Sequence, residues 1–117
     1  MEPAHLVGTG GAIGAVFRHY VGMRLQHDRF PVGTLGVNVI GSFVLALVAF
    51  AGLPKEAALL IGTGACGSFT TYSSFSVQTV RLRETSDRLR GAIYAGGTLA
   101  LCLAAATLGL GLASLLN

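Results

Sequence analysis

The chain carries too little charge for a protein surrounded by water. Of its 117 residues only 11% are charged while 52% are hydrophobic, and the mean hydropathy is +0.67. A soluble domain of this size exposes much of its surface and needs more charge to cover it. The alternating segments of a membrane β-barrel are also missing, because the apolar runs are each about 20 residues, the length of a bilayer-crossing helix. Cysteine is sparse: Cys66 and Cys102 fall inside apolar runs, where the thiol behaves as a small hydrophobe, so they define neither a disulfide nor a compartment. His5, His19 and His27 show no metal-ligand spacing and no cysteine pair near them. The net charge of +3 rests on scattered arginines without interleaved aromatics, which excludes nucleic acid as a partner class. No Asp or Glu lies within an apolar run, and such a carboxylate is the usual carrier in cation or proton transport.

What the chain does have is glycine and four apolar runs. The 17 glycines would weaken a soluble bundle, at roughly 1 kcal/mol each relative to alanine. In a membrane, small residues let helix backbones approach closely, and Ala4, Gly8 and Ala12 with Gly10 and Gly14 give small-xxx-small spacing. The runs predict one all-α integral membrane domain over residues 1–117, with spans at about 5–23, 34–53, 57–80 and 91–116. The first run lacks a basic leader region and a clear cleavage site, so it is expected to remain as a span. A polar patch (Arg24, Gln26, His27, Asp28, Arg29), a turn at Pro54, Lys55 and Glu56, and a polar loop from Arg81 to Arg90 separate the runs.

Four crossings place the N-terminus, the Lys55 loop and the C-terminus on one side. Arg18, Arg24, Arg29, Arg81, Arg83, Arg88 and Arg90 fall on the other, a bias of seven against one. By the positive-inside rule both termini face away from the cytoplasm.

A polar group in hydrocarbon must find a partner or line water, which turns attention to the third run. Its centre, Gly67 to Ser76, holds six hydroxyls besides Tyr72 and follows Gly62 and Gly64. A lone Ser or Thr ordinarily bonds the preceding helical turn, but here they cluster. Unwinding around Gly67 to Thr71 would free carbonyls, and a buried cation is one way to satisfy them. Asn38 is the amide of the second run. Tyr94, Thr98 and Cys102 recur every four residues and form one stripe on the fourth. Tyr72 and Phe75, three apart, share a helix face; such a pair is ordinarily core, yet an aromatic ring edge carries positive potential that suits an anion. Hydroxyl, amide and arginine donors together favour an anionic substrate.

Three segments carry a family resemblance: Gly10-Gly11-Ala12-Ile13-Gly14-Ala15-Val16-Phe17-Arg18, Gly33-Thr34-Leu35-Gly36-Val37-Asn38-Val39-Ile40-Gly41-Ser42, and Gly67-Ser68-Phe69-Thr70-Thr71-Tyr72-Ser73-Ser74-Phe75-Ser76. In order and spacing they resemble the Fluc (CrcB) fluoride channels across all four spans. That resemblance implies a dual-pore dimer of antiparallel subunits, a third helix broken near its middle, and passive efflux of cytoplasmic fluoride across the inner membrane of a prokaryote. It also implies a structural Na+ held by the backbone carbonyls of Gly67 and Thr70. Fluoride contacts would fall on Asn38, Tyr72, Phe75, Tyr94, Thr98 and Cys102, with Arg18, Thr34, Thr71 and Ser74 in support. No reaction is catalysed.

The chain departs from the family pattern at Tyr72, where Phe is usual, at Cys102, where a hydroxyl is commoner, and at Gln78, where Glu is frequent. Its charge bias sets an antiparallel homodimer against a heterodimer with an oppositely oriented relative. Two other functions are weighed. A small multidrug-type transporter needs a membrane-embedded carboxylate, which this chain lacks. A non-conducting assembly subunit would use the same glycines and hydroxyls for packing alone.

Overall fold

The computed structural model describes residues 2–25, 31–85 and 87–116. Helix α1, Pro3–Arg24, opens with proline in its first turn, where the missing N–H has no partner to lose, and the Glu2 carbonyl accepts the His5 and Leu6 amides. Helix α2, Val32–Phe50, stops short of the expected residue 53 because Gly52 takes a left-handed conformation, φ 73°, that turns the chain. Residues 55–69 form α3, which begins at Lys55–Ala57, widens into a π-helix over Ala58–Cys66 and closes with Gly67–Phe69. Thr70 is extended, with ψ 159°, and α4 runs over Tyr72–Thr85. The last helix, α5, is Arg88–Leu116.

Two expectations change in detail. The unwound stretch is confined to Thr70 and Thr71, since Gly67 keeps helical angles of −61° and −37°. The polar segment from Arg81 to Arg90, expected as a loop, is mostly helix: arginine, leucine and glutamate are good helix formers, and the Asp87 carboxylate receives the Arg90 amide at 2.6 Å to start α5. The patch from Gln26 to Arg29 lies outside the described residues.

Helix directions follow from which residues meet. Tyr94 lies near Thr34, and Gly109 lies against Phe43 and Ala46, so α5 runs parallel to α2. Thr71 meets Asn38 while Gly62 meets Val48, so α3 runs against α2. Gly91 lies beside Thr79 and Arg83 while Tyr94 meets Gln78 and Phe75, so α4 runs against α5. Helix α1 packs on α3 with little between the backbones. A Cβ on Gly10 would collide with the Leu60 carbonyl, one on Gly14 with the Ala65 carbonyl and Ser68 Oγ, and one on Gly64 would stand 2.7 Å from the Val7 carbonyl. Of the small residues read in the first run, Gly10 and Gly14 make the α1–α3 contact, with Ser68 Oγ donating to the Gly11 carbonyl at 2.6 Å, whereas Ala4, Gly8 and Ala12 are exposed.

Among the described residues, α2 and α5 are each long and apolar enough to cross a membrane, and only 28% and 17% of their most apolar windows are buried. In a soluble protein such helices would be the covered core. Here Leu99, Leu103 and Leu108 on α5 and Ile40 and Leu45 on α2 face outward. At 15 and 14 residues, α3 and α4 are each too short to span alone.

Candidate functional site

The polar groups converge where α3 gives way to α4. The Asn38 side chain, from α2, binds the backbone of Thr71 twice: Nδ2 donates to the Thr71 carbonyl at 3.0 Å and Oδ1 accepts the Thr71 amide at 2.8 Å. Thr71 in turn caps α4, its Oγ1 accepting the Ser74 amide at 3.2 Å. Thr70 folds back on α3, where its amide and its Oγ1 both donate to the Cys66 carbonyl, at 3.1 Å and 3.0 Å. The break seats on α2 at Gly41, where any side chain would strike the Thr70 methyl.

These bonds decide which carbonyls remain open. In an unbroken α-helix the Thr71 amide would bond the Gly67 carbonyl, but Asn38 takes it. The Ser74 amide would likewise bond the Thr70 carbonyl, but the Thr71 hydroxyl takes it. Gly67 and Thr70, the two residues assigned to a cation through the resemblance, thus lie at the two ends of the stretch 67–70 whose carbonyls lose their helical donors at the break. Gly67 is also exposed, with open space where a Cβ would stand. Hard oxygen donors of this kind suit an alkali cation. No cluster of three His, Cys, Asp or Glu side chains capable of holding a metal occurs among the described residues.

Beyond the break the aromatic rings form a line. Tyr72 and Phe75 are 6.1 Å apart between centroids and tilted by 40°, and Phe75 and Tyr94 are 5.4 Å apart and tilted by 36°. Tyr72 is 80% exposed whereas Tyr94 is 1% exposed, so the line runs from the open surface into the α4–α5 contact. Tyr94 donates its phenol O–H to Gln78 Oε1 at 3.4 Å, and Thr34 approaches the phenol oxygen of Tyr94. One helical turn further along α5 is Thr98, 5% exposed, whose Oγ1 has no hydrogen-bond partner among the described residues. Cys102, another turn on, is half-buried.

The structure brings together Asn38, Thr71, Ser74, Tyr72, Phe75 and Tyr94, with Thr34 alongside and Thr98 and Cys102 continuing along α5. Arg18 stands apart: it is exposed on α1. Gln78 gains a place beside Tyr94 that its type alone did not assign. A signal for it existed, because Gln78 lies three residues after Phe75 and so on the same face of α4.

Helices whose apolar faces are left uncovered, enclosing a line of hydroxyl, amide and aromatic groups, define a small all-helical membrane protein. A family profile described as "CrcB-like protein, Camphor Resistance (CrcB)" matches residues 5–110, and the chain belongs to this family. It is 56% identical to "Fluoride-specific ion channel FluC 2" of Haloarcula marismortui, over 97% of this chain and 92% of that protein. It is 50% identical to "Fluoride-specific ion channel FluC 1" of Halobacterium salinarum, over 83% and 82%, and 42% identical to "Fluoride-specific ion channel FluC" of Rhizobium etli, over 94% of each.

Proposed function

We propose that the chain is the subunit of a passive, fluoride-selective channel that lets cytoplasmic fluoride leave a prokaryotic cell across its inner membrane. The observation that carries this reading is 56% identity, across nearly the whole chain, to a protein named as a fluoride-specific ion channel. The site chemistry agrees with it. A fluoride ion entering hydrocarbon must exchange its hydration shell for donors, and aromatic ring edges at Tyr72 and Phe75 with the hydroxyls of Tyr94 and Thr98 supply them in sequence. Residues 57–80 and 91–116 contain no Asp or Glu to repel the anion.

In this reading α1, α2, the α3–α4 pair and α5 are four spans, with α3 and α4 the two halves of an interrupted one. Two antiparallel subunits enclose two pores, and the exposed ring of Tyr72 and the open face at Gly67 are covered by the partner. The Gly67 and Thr70 carbonyls of both subunits hold a central Na+, which neutralises carbonyls that have lost their helical donors and is not transported. The partner is a second copy, or a paralogue of opposite orientation as the seven-to-one charge bias favours.

Fluoride efflux from liposomes, read with a fluoride electrode, tests the function. Efflux that exceeds protein-free vesicles and is not matched by chloride is expected. Retention of fluoride by folded, reconstituted protein would remove the channel reading. Labelling the Lys55 loop from each side tests the partner: one orientation requires a paralogue, and both orientations require a homodimer.

A further inference from the structure

We infer that Asn38 is a positioning residue that holds the α3–α4 break open, and that by withdrawing the Thr71 amide it leaves the Gly67 carbonyl free for a cation. The inference rests on the channel reading only for its effect on flux.

The two bonds between Asn38 and Thr71 form a matched pair, one given and one received, between a side-chain amide and a backbone amide. Such a pair needs a group with an adjacent donor and acceptor, which asparagine provides at every pH and aspartate of the same length only when protonated. The competition is explicit. Thr71 N–H has two candidate acceptors, the Gly67 carbonyl of a continued helix and Asn38 Oδ1, and it takes Asn38 at 2.8 Å. With that bond in place Thr70 stays extended, Thr71 Oγ1 meets the Ser74 amide, and α4 starts at Tyr72. The ring of Tyr72 and, one turn later, that of Phe75 are thereby set in register with Tyr94. One side chain on α2 thus fixes both the aromatic line and the open carbonyl at Gly67. Asn38 Nδ2 keeps a second N–H, so contact with an anion remains compatible with this role but is not what the two observed bonds do.

The measurement is amide hydrogen exchange at Thr71 in the full-length reconstituted protein, resolved by nuclear magnetic resonance. In the native chain the Thr71 amide, although outside any helix, should exchange about a hundredfold or more slowly than an unstructured amide. Unprotected Thr71 would overturn the inference without any mutation. Asn38→Ser retains a hydroxyl donor for an anion but cannot make the paired bonds. It should lose at least about tenfold of the protection at Thr71 while α2 and α5 amides are unchanged, and raise the Na+ concentration needed for half-maximal fluoride flux. Thr71 protection and Na+ dependence that stay native while flux falls would show that residue 38 acts on the anion alone. Because exchange is read without flux, a protein that conducts no fluoride would still report on the break.

Discussion

Thr98→Val separates a conducting hydroxyl from a packing one. Thr98 is 5% exposed and its Oγ1 has no hydrogen-bond partner among the described residues, while valine has nearly the same shape. Leaving a buried hydroxyl unsatisfied costs about 1–3 kcal/mol, so removing it should leave stability unchanged or raise it by up to about that amount. If the hydroxyl faces the ion path, it gives a desolvated anion one charge-assisted bond worth about 1.5–3 kcal/mol. At 1.36 kcal/mol per decade, flux should fall by roughly 10- to 150-fold. The two effects therefore have opposite signs, which ordinary damage to packing cannot produce. Fluoride efflux from liposomes and thermal unfolding in detergent measure them on one preparation. Native flux in Thr98→Val, or a clear loss of stability, would refute the reasoning, because the first removes the anion contact and the second means the hydroxyl had a structural partner.

Gly14→Leu should prevent folding, since the new side chain meets the Ala65 carbonyl and Ser68 Oγ and overpacking costs about 1–3 kcal/mol or more; Gly8→Ala and Gly96→Ala, at positions with open space, should keep native melting temperatures. Tyr72→Phe should preserve flux and halide selectivity because it keeps the ring edge, whereas Tyr72→Leu should abolish flux, as read by the fluoride electrode. Gln78→Glu places a carboxylate beside the Tyr94 phenol. Its oxygen accepts the same phenol hydrogen bond and restores the residue frequent in the family, so fluoride flux should be retained, whereas Gln78→Leu, which removes that acceptor, should reduce it.

The parts of the site that repeat with the helix were legible in the sequence, and the parts that depend on distant partners were not. Tyr94, Thr98 and Cys102 formed a stripe by spacing alone, and Tyr94 and Thr98 prove to be buried on one face of α5. Gly10 and Gly14 of the first run likewise announced a close helix contact, though not that α3 would supply it, while Gly8, read in the same spacing, stands in open space. Asn38 stood out as an amide in an apolar run, but its partner lies 33 residues away, and no local pattern connects them. Position 67 looked like the start of the unwound stretch because glycine is a poor helix former. Helical angles persist there because the chain yields two residues later, where Thr70 and Thr71 have side chains and neighbours that satisfy the displaced backbone groups. The π-helical widening over Ala58–Cys66 has no signature in hydrophobic periodicity. Helix α4 reaches Thr85 because a polar segment can be helical where its side chains are exposed.

Helices α2 and α5 have 19 and 29 residues and lie parallel. At 1.5 Å per residue they measure about 28 Å and 43 Å, against a hydrocarbon core of about 30 Å. The shorter helix matches the core with little tilt. The longer one must lean or emerge, carrying Arg88 and Arg90 into the headgroup layer, where their guanidinium groups reach water and phosphate. Since Tyr94 and Thr98 ride on that same helix, bilayer thickness sets how far they sit from aqueous solution. Lipid chain length is therefore a physical control on the depth of the path, one that no substitution in the protein needs to supply.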